Sequence, residues 1–257
     1  MNLNELKGIT LALLDTFRVA GDLSIELRNK GLKTTIKLDK TPVTNGDIEV
    51  NNILTKKISE ITPSIPIVSE EATLNKNEKN LKNFWLIDPI DGTNDYINNR
   101  DEFTLNASLI INRKPVIGII NAPAKKRLFY SYGPTYSFEF KNDKEIRLSD
   151  QPKKNIGEIV AVTYSNDLKK EISDFHKKFK VTRFQKMKSS YKFCVIAAGE
   201  YDLYIAEPRA CEWDIAAGQA ILEHAGGSVT DFEKNVILYG KVGFKNPSLI
   251  LKNKNII

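Results

Sequence analysis

Residues 84–97 read FWLIDPIDGTNDYI, and this stretch decides the fold. Phe84 to Ile87 form an apolar run of strand-forming residues, which predicts a buried strand. The run leads straight into Asp88 and Asp91, so the chain leaves the core and presents carboxylate oxygens at a sheet edge. Pro89 and Ile90 separate the two acids. In a turn, that spacing aims both carboxylates at adjacent sites with the Ile90 carbonyl facing the same way, because Pro89 fixes its φ and brings no competing donor. Such a turn has room for two close metal ions. Gly92 and Thr93 follow, and TNDYI opens a short helix whose free N–H groups suit a phosphate oxygen. A single Asp beside glycine is ordinarily a cap or turn former; the whole pattern points to chemistry instead.

Upstream, Leu6, Ile9, Leu13, Leu14, Phe17 and Ala20 recur at helical spacing, which predicts a long helix over 3–29 with Gly31 as its stop. A turn-rich segment, KLDKTPVTNGD, precedes a second helix opened by Asp47 and ended by Pro63. The period then changes to strands: IPIVSEE, FWLIDPI, FTLNASLIINRKPVIGIINAP with a hairpin turn at 112–115, and RLFYSYGPTYSFEF. From about residue 156 the order is EIVAVTYS (strand), DLKKEISDFHKKF (helix), SSYKFCVIAAGEY (helix), DLYIAE (strand) and EWDIAAGQAILEHAGG (helix). The expectation is a layered α/β fold of the α+β kind, in two halves, 1–154 and 155–257, packed as one unit.

Composition excludes several classes. With 257 residues, 41% hydrophobic and 27% charged, the chain has the make-up of a globular protein that needs no staples. Cys194 and Cys211 show no CxxC spacing and read as reduced thiols. The N-terminal stretch carries acidic residues within its apolar part, unlike a signal peptide, and no run approaches the roughly 18 apolar residues of a membrane span. A cytoplasmic location is expected, with the cytoplasmic face of the inner membrane as a peripheral alternative. The net charge of +6 comes from 30 lysines and 8 arginines spread along the chain, without an Arg-rich block. No stable nucleic-acid complex is expected from that pattern.

Acidic residues concentrate where ordered segments end: Asp47 after PVT, Glu70 and Glu71 after IPIVS, Asp88 and Asp91, and Asp214 in EWDIAAG. Clusters of hard oxygens suit Mg²⁺, and the absence of His and Cys argues against zinc. Glu71 stands apart, since neighbours on an extended strand face opposite ways. His176 and His224 read as surface or helix-face residues without a role, and Trp213 as a packing anchor beside Asp214.

Glu70-Glu71, DPIDGT (88–93) and WDIAAG (213–218), together with KLDKTPVTNGD upstream, resemble the signature segments of the inositol monophosphatase superfamily in order and spacing. The resemblance covers nearly the whole chain and implies an alternating αβαβα sandwich of the sugar-phosphatase type. DEFTLNASLI and SSYKFCVIAAGEYDLY are similar to the 3'(2'),5'-bisphosphate nucleotidases of the bacterial CysQ type, which implies hydrolysis of adenosine 3',5'-bisphosphate to AMP and phosphate. It further implies that Glu70, Asp88 and the Ile90 carbonyl hold one Mg²⁺ and Asp88, Asp91 and Asp214 a second, with a third, weaker ion near Glu70. Thr93, paired with Asp47, would orient the attacking water, while the Gly92 and Thr93 amides receive the phosphate. Ser189, Ser190, Lys192 and Arg209 are candidates for the substrate's other phosphate, against ordinary roles as a helix N-cap pair and surface cations. Two positions depart from the branch: Lys188 stands where Gly is common, and Ala206 where Arg is common. The alternatives are an inositol or sugar-phosphate phosphatase and, more remotely, a non-catalytic basic RNA-binding protein. A monomer or homodimer is expected.

Overall fold

The computed structural model describes residues 1–37, 40–72, 81–151 and 157–256. Helix α1 (Leu3–Lys30) starts at a capping box between Asn2 and Glu5 and stops at Gly31, whose φ of 96° a β-carbon would disfavour. A hairpin of β1 (Thr34–Ile36) and β2 (Pro42–Thr44) leads to α2 (Asn45–Ile61). That helix begins two residues before Asp47, because Thr44 is its cap and Asp47 the reciprocal third residue of the box. There follow β3 (Ile67–Ser69), β4 (Phe84–Asp91), α3 (Thr93–Ile97), β5 (Thr104–Ile111), β6 (Lys114–Ala122), β7 (Arg127–Ser131), β8 (Ser137–Lys141) and β9 (Lys144–Arg147). The remaining elements are β10 (Ile159–Thr163), α4 (Lys170–Lys178), β11 (Val181–Lys186), α5 (Tyr191–Ala197), β12 (Leu203–Ala206), α6 (Glu212–His224), β13 (Ser228–Thr230) and β14 (Leu249–Lys252).

Strands β3 to β9 form one seven-stranded sheet in sequence order, antiparallel except for the β3–β4 pair. The β5–β6 turn is tight: Asn112 and Arg113 both have positive φ, matching the twist a two-residue hairpin requires. A five-stranded sheet has the order β11-β10-β12-β14-β13. Side-chain alternation sorts the layers. On β4, Trp85 and Ile87 join Leu13, Phe17, Val50, Leu54 and Ile58 of α1 and α2, while Phe84 and Leu86 join the apolar faces of α5 and α6 on the other side. On β12, Tyr204 and Ala206 face that same helical layer, whereas Leu203 and Ile205 pack with Ile172 and Phe175 of α4. The result is five layers, αβαβα, with α5 and α6 sandwiched between the sheets.

Strands β1, β9, β11, β13 and β14 are not legible in the sequence; β11, VTRFQK, is a charged and largely exposed edge. The expected boundary between residues 154 and 155 lies outside the described residues. Among the described residues no helix is long and apolar enough to cross a membrane.

Candidate active site

The acidic stretch of β4 is a bulge rather than a turn. Asp88 pairs with Asn106 and Asp91 with Thr104, so two residues of β4, Pro89 and Ile90, oppose the single Leu105 of β5. A proline cannot donate to a ladder, and one extra residue is what a bulge accommodates. The consequence is positional. Residues three apart on a regular strand face opposite ways, but the added residue returns Asp91 to the side of Asp88, the side facing α6. Ile90 turns instead into the core below α1 and α2.

Asp214, in the first turn of α6, and Glu70, just beyond β3, join Asp88, while Asp91 stands beside this group with its Oδ2 turned to Ser190. Oxygens of Glu70, Asp88 and Asp214 lie within 4.8 Å of one another. Burial, reinforced by Glu70, Asp91 and Asp214, raises the Asp88 carboxyl well above its usual range. Asp214 is pushed up to about 8, first by burial and then by Asp91 and Glu70. Its Oδ2 accepts from the Cys211 amide at 2.7 Å, capping α6. Asp88 Oδ1 is buried without a hydrogen-bond partner among the described residues. Buried like charges and an orphaned acceptor are costly unless a cation joins them, and an all-oxygen donor set fits Mg²⁺.

Thr93 follows Gly92, whose φ is 94° and where a β-carbon would stand 2.8 Å from the Glu102 carbonyl oxygen. The Thr93 hydroxyl lies 3.3 Å from Asp47 Oδ1 and 3.1 Å from the Ile90 carbonyl oxygen. Asp47 Oδ2 accepts from the Thr44 amide at 2.7 Å and the Thr44 hydroxyl at 2.6 Å. The carboxylate therefore caps α2 with one oxygen and meets Thr93 with the other. Burial raises its pKa despite these hydrogen bonds.

Beside the carboxylates a cavity of about 110 Å³ is lined by Asp91, Asp214, Ser189, Lys192, Arg209 and Tyr204, among others. It adjoins a larger hollow of about 380 Å³, with which it shares Tyr164, Tyr204, Ala206 and Arg209. Burial lowers the Lys192 ammonium pKa, against the pull of Asp91 and Asp214. The Arg209 guanidinium lies over the Tyr164 ring, 3.1 Å from its centroid. Ser190 is not at the cavity; its side chain is enclosed and turned to Asp91. Of the residues expected to meet substrate, then, Ser189, Lys192 and Arg209 share one wall and Ser190 stands behind it.

Residues 7–256 match the model of the inositol monophosphatase family. The chain belongs to this family. A 3'(2'),5'-bisphosphate nucleotidase CysQ of Buchnera aphidicola is 35% identical over 241 residues, covering 89% of this chain and 88% of that protein. The solved structure of CysQ from Bacteroides thetaiotaomicron, described as a bacterial member of the family, superimposes with a TM-score of 0.79 at 28% identity, over 98% of this chain and 99% of that one. An IMPase/NADP phosphatase solved with Mg²⁺ and phosphate shares the fold at 17% identity and a TM-score of 0.73, over 91% of this chain and 86% of that one.

Two readings of the sequence need correction. Glu70 and Glu71 do not diverge: the strand ends at Ser69, so the pleat no longer applies, and both carboxylates reach Lys37 Nζ, at 3.3 Å and 2.5 Å. Lys37 had no sequence signal beyond its place in a polar turn. Its pKa is raised, since Glu70 and Glu71 outweigh the effect of burial. His176 and His224 do lie on helices, α4 and α6, but on buried rather than surface faces, and burial brings His224 down to about 4, so it accepts from the Gly133 amide as a neutral ring. Trp213 does pack as an anchor, against Phe244.

Proposed function

We propose that this chain is a Mg²⁺-dependent phosphomonoesterase whose substrate is a nucleoside 3',5'-bisphosphate, adenosine 3',5'-bisphosphate first among them. Water adds to the phosphorus of the 3'-phosphate, the bond from phosphorus to the 3'-oxygen breaks, and that oxygen takes up a proton, leaving AMP and inorganic phosphate. The observation that carries the substrate reading is the cavity beside Asp91 and Asp214, where Lys192 and Arg209 supply two cations within reach of the reacting centre. A second phosphate answers that pair; an uncharged polyol does not.

In this reading Glu70, Asp88 and the Ile90 carbonyl would hold one Mg²⁺, and Asp88, Asp91 and Asp214 a second, with a weaker third near Glu70. When bound, Mg²⁺ would supply a lowered pKa for the attacking water and positive charge for the phosphoryl oxygens. Thr93 accepts a hydrogen bond from the attacking water and directs its own proton toward Asp47 Oδ1, which orients the nucleophile. The Gly92 and Thr93 amides receive the phosphate. Ser189 and Lys192 hold the second phosphate, with Arg209 steadied by Tyr164. The site draws Glu70, Asp88, Asp91 and Thr93 from residues 1–154 and Ser189, Lys192, Arg209 and Asp214 from 155–257, which suits two halves working as one unit.

A phosphate-release panel tests the reading. Adenosine 3',5'-bisphosphate should exceed inositol 1-phosphate and fructose 1,6-bisphosphate in kcat/KM by a factor on the order of a hundred. EDTA should abolish release and Mg²⁺ restore it. Arg209→Met and Lys192→Met should each raise KM for the bisphosphate about tenfold or more while leaving inositol 1-phosphate little changed. Equal rates on all three substrates would make this a general sugar-phosphate phosphatase, and full activity after exhaustive chelation would remove the metal.

A further inference from the structure

Ser190 belongs to the group that the sequence offered for substrate, yet its contacts run elsewhere. It is fully buried at the start of α5 and does not line the cavity that Ser189, Lys192 and Arg209 share. Its hydroxyl lies 2.6 Å from Asp91 Oδ2 and 2.5 Å from the Asp214 backbone oxygen, and its amide donates to the same Asp91 oxygen. Behind it, Asn106 Nδ2 donates to Ser190 Oγ at 3.0 Å.

Proton accounting gives this chain a direction. A serine hydroxyl has one proton to donate and lone pairs to accept with. Because Asn106 donates into Ser190 Oγ, the serine proton points forward, toward Asp91 and the Asp214 carbonyl. Asp91 Oδ2 then accepts from the Ser190 amide and shares the single hydroxyl proton with the Asp214 carbonyl, which fixes the rotation of the carboxylate and leaves Oδ1 for a cation. Asn106 itself is anchored by the ladder, directly opposite Asp88. The N-terminus of α5 is anchored too, since the Tyr191 hydroxyl accepts from Arg127 Nη1 at 2.5 Å and Arg127 is locked to Glu139. One short route therefore ties β5, α5 and α6 to the bulge of β4.

We infer that Ser190, with Asn106 behind it, is a positioning residue that presents Asp91 to a divalent cation rather than a group that binds the substrate's phosphate. The inference rests on the reading of Asp91 as a metal ligand. Partners of this kind, one bond removed from a ligand, typically change metal affinity by ten- to a hundredfold when removed.

Mn²⁺ serves as the probe, with binding followed by electron paramagnetic resonance of the free ion, on protein whose fold is verified by circular dichroism and thermal melting. Asp91→Asn should lose one class of Mn²⁺ site. Ser190→Ala should weaken that same class about ten- to a hundredfold and leave the other unchanged, and should raise the Mg²⁺ concentration for half-maximal activity. Asn106→Ala should act in the same direction more weakly, and the double variant should be little worse than Ser190→Ala, as for members of one unit. A parental Mn²⁺ isotherm in Ser190→Ala, with only the KM for the bisphosphate raised, overturns the inference and makes Ser190 a substrate contact. Should Ser190→Ala not fold, a parental isotherm in folded Asn106→Ala overturns it equally. An unchanged isotherm in Asp91→Asn means instead that the metal reading of Asp91 has failed.

Discussion

Removing the metal should make the fold lose stability as pH rises, the reverse of what salt-bridged carboxylates produce. Burial, and then the charges of Asp91 and Glu70, push the Asp214 carboxyl from its ordinary 3.8 up to about 8, and Asp88 is raised with it. The folded chain therefore binds these protons more tightly than the unfolded chain, and the carboxyls favour the fold fully below about pH 4 and progressively less up to about pH 8. Burial of His224, brought down to about 4, acts oppositely below about pH 6.5, where the unfolded chain takes up its proton. His176, also lowered by burial, acts with His224, so the window in which the carboxyls dominate is about pH 6.5 to 8, opposed there by Lys192, whose lowered pKa favours the fold as pH rises. At roughly 1.4 kcal/mol per pH unit for one group, Asp214 alone should cost about 2 kcal/mol across it, or roughly 5 °C of Tm for a chain of this size. Scanning calorimetry of EDTA-treated protein should find that fall. Saturating Mg²⁺, which binds the ionised carboxylates, should remove it. Asp214→Asn keeps an acceptor for the Cys211 amide but carries no charge, and should flatten the slope by the Asp214 share. A metal-free Tm that is constant or rises through the window, or a slope that survives intact in Asp214→Asn, would refute the argument.

Thr93→Ala and Asp47→Asn should each lower kcat by roughly two to four orders of magnitude with little change in KM. The double variant should be little worse than either, and multiplicative losses in steady-state kinetics would mean that the two residues act independently. Asp47→Asn should also cost about 1 kcal/mol in urea unfolding, because Oδ2 belongs to the cap of α2. Gly92→Ala should lose activity and Tm together, since its β-carbon would stand 2.8 Å from the Glu102 carbonyl oxygen at a φ of 94°; a variant with parental activity and Tm would show that the turn can relax.

What the sequence revealed about this molecule was what depends on neighbours along the chain. Apolar runs ending in acids gave the strands and their carboxylates, the helical spacing of Leu13, Phe17 and Ala20 gave the first layer, and the order of elements gave layered helices and sheets, whose αβαβα alternation the family resemblance implied. What stayed hidden depends on partners across space. Whether Asp88 and Asp91 share a face is set by the register with Asn106 and Thr104, and a bulge is a property of two strands. Ser190 looked like a phosphate contact because serines before a lysine suit anions, but its partner Asp91 is 99 residues away. Lys37 lay in an unremarkable polar turn until folding brought Glu70 and Glu71, more than 30 residues on, to its ammonium.

The same distinction resolves the departure at position 206. Judged along the chain, Ala206 in place of a common arginine removes a cation from the end of β12 and weakens the case for a second phosphate. In space, Ala206 and Arg209 line the same cavity, so a guanidinium is present after all, delivered from the loop three residues downstream. The small side chain at 206 occupies little of the cavity wall, and the Tyr164 ring gives Arg209 a surface to lie on. Replacing Ala206 with arginine should then be poorly tolerated while Arg209 is present, since two guanidinium groups would compete for the anion site proposed beside Lys192. With Arg209→Ala in the same chain, Ala206→Arg should recover part of the lost affinity for the bisphosphate. A KM that stays at the Arg209→Ala value in that double variant would show that the position of the guanidinium matters, and not only its presence in the cavity.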